Sequence, residues 1–93
     1  FENIRQWANE RNLIKEGDIK TQTLKLTEEV GELSDAILRN DQLDIIDAIG
    51  DSVVVLTNLA AIAGFNIEDC IEFSWKQIKD RKGKMDNGTF KKE

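Results

Sequence analysis

Residues 42–63, QLDIIDAIGDSVVVLTNLAAIA, constrain this chain more than any other stretch. Ile45, Ile46, Ile49, Val53, Leu56, Ala60 and Ala63 recur at helical spacing and form an apolar face. The run VVVL at 53–56 leaves no wholly polar side, and a helix that is apolar nearly all round has to be buried. The chain has 93 residues, enough for one small domain, and its other helical segments are too short to cover such a helix completely. The expectation is an all-α four-helix bundle completed by oligomerisation, as a homodimer or homotetramer.

The remaining segments supply the neighbours. A first helix over about 1–13 turns Ile4, Trp7, Ala8 and Leu13 inward, and KEGD at 15–18 breaks it. A second over 19–38 carries Leu26, Val30, Leu33 and Ile37 in steps of four, three and four. Asn40 and Asp41 make a turn and can cap the third helix, over 42–63, which Gly64 ends. Asn66 is a good N-cap for a fourth, over 67–80, with Glu68 and Asp69 favoured by the dipole of its first turn. The tail 81–93 reads as a loop with a short extended end. Nothing divides the chain, so 1–93 is expected to be a single domain.

Composition excludes several functions. The net charge of −5 disfavours nucleic-acid binding. There is no histidine, hence no histidine base, triad or imidazole metal ligand, and Cys70 is the one cysteine, expected as a buried structural thiol. A metal here would be held by oxygen, which points to magnesium, manganese or calcium. None of the apolar runs looks long enough to span a membrane, no signal-peptide pattern is visible, and a cytoplasmic protein is the default expectation.

Acids crowd the apolar stripes. Glu28, Glu29 and Glu32 interrupt Leu26, Val30 and Leu33, and helical geometry turns Glu29 and Glu32 toward the bundle while Glu28 stands at the edge. On the third helix Asp44, Asp47 and Asp51 share a face, with Asn58 two turns beyond Asp51. Exposed like charges at this spacing cost about 0.2–0.5 kcal/mol each, whereas unpaired buried carboxylates cost several. Two readings stay open: solvated polar faces, or two acidic stripes facing one another across a divalent cation. Gly31 and Gly50 lie beside the acids inside helices, where a close approach of backbone or ligand would account for them.

These residues resemble the MazG-like nucleotide pyrophosphohydrolases, an all-α family whose pattern is Glu-x-x-Glu on one helix and Glu-x-x-Asp on the next. QTLKLTEEVGEL is similar to the first motif and DAIGDSVVVL to the second, and the closing RKGKMDNGTFKK resembles the tail of small phage-type members. The resemblance implies Mg²⁺ (or Mn²⁺) held by Glu29, Glu32 and Asp51. It implies hydrolysis of a nucleoside triphosphate to the monophosphate and pyrophosphate in nucleotide-pool house-cleaning, with Glu28 or Glu29 acting on the water. One position departs from the pattern: Ala48 stands where the second motif has a ligand acid. Asp47 could take over, with Asp44 behind it.

Other residues have two readings each. Lys25 reaches either a substrate phosphate or Glu29, one turn away. Gln22 and Asn58 either bind substrate or polarise a helix interface. Lys79, Arg81, Lys82 and Lys84 either complement a helix C-terminus or fold back to clamp a triphosphate. Trp7 is core by its spacing from Ile4, with stacking on a nucleobase as the alternative; Phe73 and Trp75 are core or interface. Three functions compete: the hydrolase, a catalytically weak or inactive nucleotide- and metal-binding protein, and a plain helical interaction module.

Overall fold

The computed structural model describes residues 1–93 and is 71% helical. Its spine is a pair of long helices, α3 (Ile19–Leu38) and α4 (Gln42–Ile62), with the most extensive packing in the molecule. Before them come α1 (Glu2–Glu10) and a single turn, α2 (Leu13–Glu16), so the first expected helix is split at Arg11–Asn12. Asn12 there adopts a left-handed conformation, φ 58°. After them come α5 (Ile67–Ile78) and a hairpin of β1 (Gly83–Asp86) and β2 (Thr89–Lys92).

Local chemistry fixes the ends of the spine. Asp18 caps α3, accepting from the Thr21 amide at 3.0 Å and its hydroxyl at 2.9 Å. Asn40 turns left-handed at φ 56°, and the Asp41 amide donates back to the Ala36 carbonyl at 3.0 Å, a Schellman closure. Asp41 then caps α4 by accepting from the Asp44 amide at 3.1 Å. Arg39 staples the turn by donating to Asp35, Asp41 and Asp44 at 2.9–3.2 Å. Gly64, at φ 90°, ends α4 with the Phe65 amide on the Ala60 carbonyl at 2.8 Å. Asn66 occupies the N-cap of α5 but its side chain makes no capping bond.

The core is thin. Ala8, Ala36, Ala48, Val55 and Ala60 are the buried apolar residues, joined by Glu29, Thr57 and Asn58. Within one chain α4 therefore buries its small-residue side against α3, α1 and α2. The large apolar face is left open: Ile46, Ile49, Val53 and Leu56 are all exposed, as are Val30 and Ile37 of α3. By length and composition α4 would qualify to cross a membrane, which corrects the expectation that no run here could, and 28% of that stretch is buried. Its aspartate stripe and its packing on α3 make it a core helix with one side uncovered.

The C-terminal third is an arm. α5 packs only on α4, apart from an ion pair between Arg5 of α1 and Glu68 in its first turn; the hairpin contacts no helix, and every residue from Glu68 onward is exposed. Phe73, Trp75 and Cys70 are thus exposed rather than buried. The tail expected as a loop pairs Met85 with Phe90 and Lys84 with Lys91. Asn87 and Gly88, at φ 51° and 80°, supply the two positive φ values of a tight hairpin turn.

Candidate functional site

α3 and α4 run antiparallel through a short turn, so residues equidistant from Asn40 stand at one level. Glu32 and Ala48 are each eight residues away, Glu29 and Asp51 eleven, and Gln22 and Asn58 eighteen. The two acidic stripes thus meet across the helix pair, and Ala48 faces the level of Glu32.

The environments of these acids differ sharply. Glu29 is 6% exposed, and its Oε2 is buried with no hydrogen-bond partner. Its Oε1 lies 3.4 Å from Lys25 Nζ, so the lysine makes the i,i+4 ion pair. Asp51 is half-buried, and desolvation followed by the charges of Asp47 and Glu29 pushes its carboxyl above the ordinary range. Glu32 is exposed but also raised, chiefly by the neighbouring Glu29 charge, with desolvation and Asp51 adding. Groups that repel one another across a helix pair are short of positive charge. No three carboxylates converge on a point that could hold an ion as they lie. Lys25 pairs with Glu29 at 3.4 Å and Arg39 with Asp44 at 3.1 Å, so two of the acids already have a cationic neighbour.

Two openings flank this cluster. One, of about 170 Å³, is lined by Glu32, Asp35, Arg39, Asp44, Asp47 and Ala48. The other, of about 410 Å³, lies between α1 and α4 and is lined by Asn3, Ile4, Trp7, Asp51 and Val54. Asp47 lines the first opening and Asp51 the second. Glu28 is exposed at the edge, and Gln22 is half-buried. Asn58 is 2% exposed, with an unpartnered Oδ1. Lys79, Arg81, Lys82 and Lys84 sit on the exposed arm, whose strands make no contact with α3. A fold-back of this segment over the carboxylates is not part of the single chain, because α5 leads it away from the bundle.

The pattern of the MazG nucleotide pyrophosphohydrolase domain matches residues 17–85, which carry both acidic motifs. The chain belongs to the MazG family. Over 60 residues it is also 44% identical to an uncharacterized 18.2 kDa protein in the rep-hol intergenic region of Haemophilus phage HP1, covering 64% of this chain. The matched residues span 37% of that relative's length. No solved structure gives a significant match. The MazG match takes in α3, α4 and α5, hence both acidic motifs, and leaves α1 outside. Sequence reasoning treated Trp7 as core by default. Its 45% exposure, and the presence of Asn3 and Ile4 beside it, emerge only when α1 is laid on α4. The one advance signal was an aromatic residue in a segment with few apolar partners.

Proposed function

We propose that the chain is a Mg²⁺-dependent nucleoside triphosphate pyrophosphohydrolase, converting a (d)NTP and water to the (d)NMP and pyrophosphate. The observation that carries this is the buried, unpartnered Oε2 of Glu29 beside Glu32 and Asp51, with Lys25 as the cation nearest to it. An orphaned buried oxygen in an all-oxygen donor set suits a hard divalent cation, Mg²⁺ or Mn²⁺. Glu29, Glu32 and Asp51 would hold it, with Asp47 reached by rotation in place of the acid missing at Ala48. Such an ion supplies neutralisation of the triphosphate and acidification of water.

The chain's own residues do the rest. Glu28, exposed beside Glu29, is placed to orient the attacking water and take its proton, and Glu29 is the alternative base. Attack breaks one α–β anhydride P–O bond, and pyrophosphate leaves with the electron pair. Lys25, whose side chain is half-exposed, can exchange Glu29 for a substrate phosphate. Gln22 and Asn58 offer hydrogen-bonding groups two turns beyond Glu29 and Asp51 along the helix pair. Lys79, Arg81, Lys82 and Lys84 serve as a phosphate clamp only if the arm of one copy reaches the site of another. The apolar surface left open on α3 and α4 favours such a homodimer or homotetramer. Nucleotide chemistry of this kind fits a cytoplasmic protein acting on surplus or non-standard nucleotides, without nucleic acid or membrane as partner.

The test is pyrophosphate release from a panel of dNTPs with Mg²⁺. Glu32→Gln should abolish it, and absence of turnover on every nucleotide would sink the enzymatic reading. A second reading, nucleotide and metal binding without hydrolysis, is favoured by Ala48. Calorimetry would then show Mg²⁺ and nucleotide binding with no product.

A further inference from the structure

The arm and the bundle each leave an apolar side uncovered, and they differ in the sign of their charge. On α5, Ile71, Trp75 and Ile78 are spaced four and three apart and all are exposed, so the helix presents an apolar stripe with nothing on it. Cys70 and Ser74 join them around an opening of about 370 Å³. The hairpin beyond touches no helix, and its paired Met85 and Phe90 are exposed as well. A two-stranded hairpin without a packing partner is marginal in water. On α4, Ile46, Ile49, Val53 and Leu56 form the other open face. Residues 79–93 hold six lysines and arginines against three acids, so this segment carries +3 while residues 1–78 carry −8, within a chain total of −5.

We infer that the arm of one copy docks on the open α4 face of a second copy, reciprocally, so that each chain covers the other. The lengths agree: the twelve residues of α5 span about 18 Å, and Ile46 to Leu56 about 15 Å. Ile71, Trp75 and Ile78, at i, i+4 and i+7, are the anchors by which an amphipathic helix fills an apolar groove. Charge decides between this exchange and the pairing of like with like. α4 carries Asp44, Asp47 and Asp51 along with its open face, so α4 against α4 brings two acidic helices together, and arm against arm brings together two basic segments. Arm on α4 sets the +3 segment beside the −8 body instead. The exchange also closes on itself, because the two-fold axis that places one arm places the other. α5 already leads away from its own bundle, as delivery to a neighbour requires. The docking concerns assembly alone and does not depend on the hydrolase reading.

The test uses the full chain. Wild type should scatter light at a multiple of the single-chain mass of 10.6 kDa. Ile49→Glu and Trp75→Lys change side chains that are 49% and 54% exposed within one chain, so both variants should keep their helical circular dichroism and fall to the single-chain mass. Mixed in equal amounts they should associate again, because the arm of the first and the α4 face of the second are both native. In like-on-like assembly no mixed contact is native, and mixing changes nothing. A zero-length carbodiimide, which joins lysines to carboxylates, gives a second readout. In a mixture of isotope-labelled and unlabelled wild-type chains it should link Lys79, Lys82 or Lys84 to acids of α3 or α4 across the two labels. A wild-type monomer, a mixture that stays at the single-chain mass, or cross-links confined to one label overturns the proposal. Neither readout uses nucleotide turnover, so the hydrolase reading stands or falls separately.

Discussion

Glu29 condenses the logic of the site at the scale of the residue. Its spacing from Leu26 and Leu33 marked it as inward-facing, and it is the one buried carboxylate of the chain. Burial with one oxygen unpartnered is expensive unless positive charge arrives, and Lys25 at 3.4 Å supplies only part of it. Ala48 shows the opposite economy: it is 4% exposed, so the position that lacks the expected acid also packs into the core. Gly31 and Gly50 test what surrounds the acids. A close approach of backbone or ligand was the expected reason for both, and within the chain a methyl group at either would meet open space, so no backbone of the same chain is the reason. Gly31→Ala and Gly50→Ala should each stabilise the protein by about 0.5–1 kcal/mol through helix propensity. Thermal denaturation checks this; a drop in midpoint would mean that a second chain or a ligand fills the space.

Between elements, the least obvious contact is the one that ties the two ends of the chain. Arg5 donates to both oxygens of Glu68 at 2.6 Å and to Glu2, linking α1 to the first turn of α5 across 63 residues. The guanidinium holds the Glu68 carboxyl down at about 2, against 4.5 for the free group. A depressed carboxylate stabilises the fold fully above the unfolded value and loses that contribution as pH falls toward the folded one. The window is therefore about pH 4.5 to 2. The wild-type thermal midpoint should fall across it more steeply than that of Glu68→Gln, and parallel slopes would contradict the linkage. Arg39 does similar work at the α3–α4 turn, but all its partners are local, so it fixes the turn rather than the placement of distant elements.

The whole molecule is open. Its radius of gyration is 15.7 Å, where a compact chain of this length has about 12 Å. Ile46, Ile49, Val53 and Leu56 on α4, together with Phe73, Trp75 and Ile78 on the arm, face outward. A water-soluble monomer rarely presents so much apolar surface, and a second copy is the economical cover. Light scattering at micromolar concentration should give a dimer or tetramer, and Ile49→Glu should shift it toward monomer. A wild-type monomer would refute this.

The sequence by itself determined the helices of the spine, the cap at Asp41, the stop at Gly64 and the two acidic stripes. Each of these depends on spacing along a single helix or on one turn, and helical periodicity is local. The Asn-Gly of the tail was equally local, and its hairpin was legible though it was read as a loop. Tertiary structure decided which side of α4 is buried, because an almost uniformly apolar helix carries no internal instruction about its partner. It also decided that α5 stands away from the bundle and that Trp7 lines a cleft rather than a core. These depend on which elements touch across long sequence separations, where packing against α4, and not periodicity, chooses the exposed face.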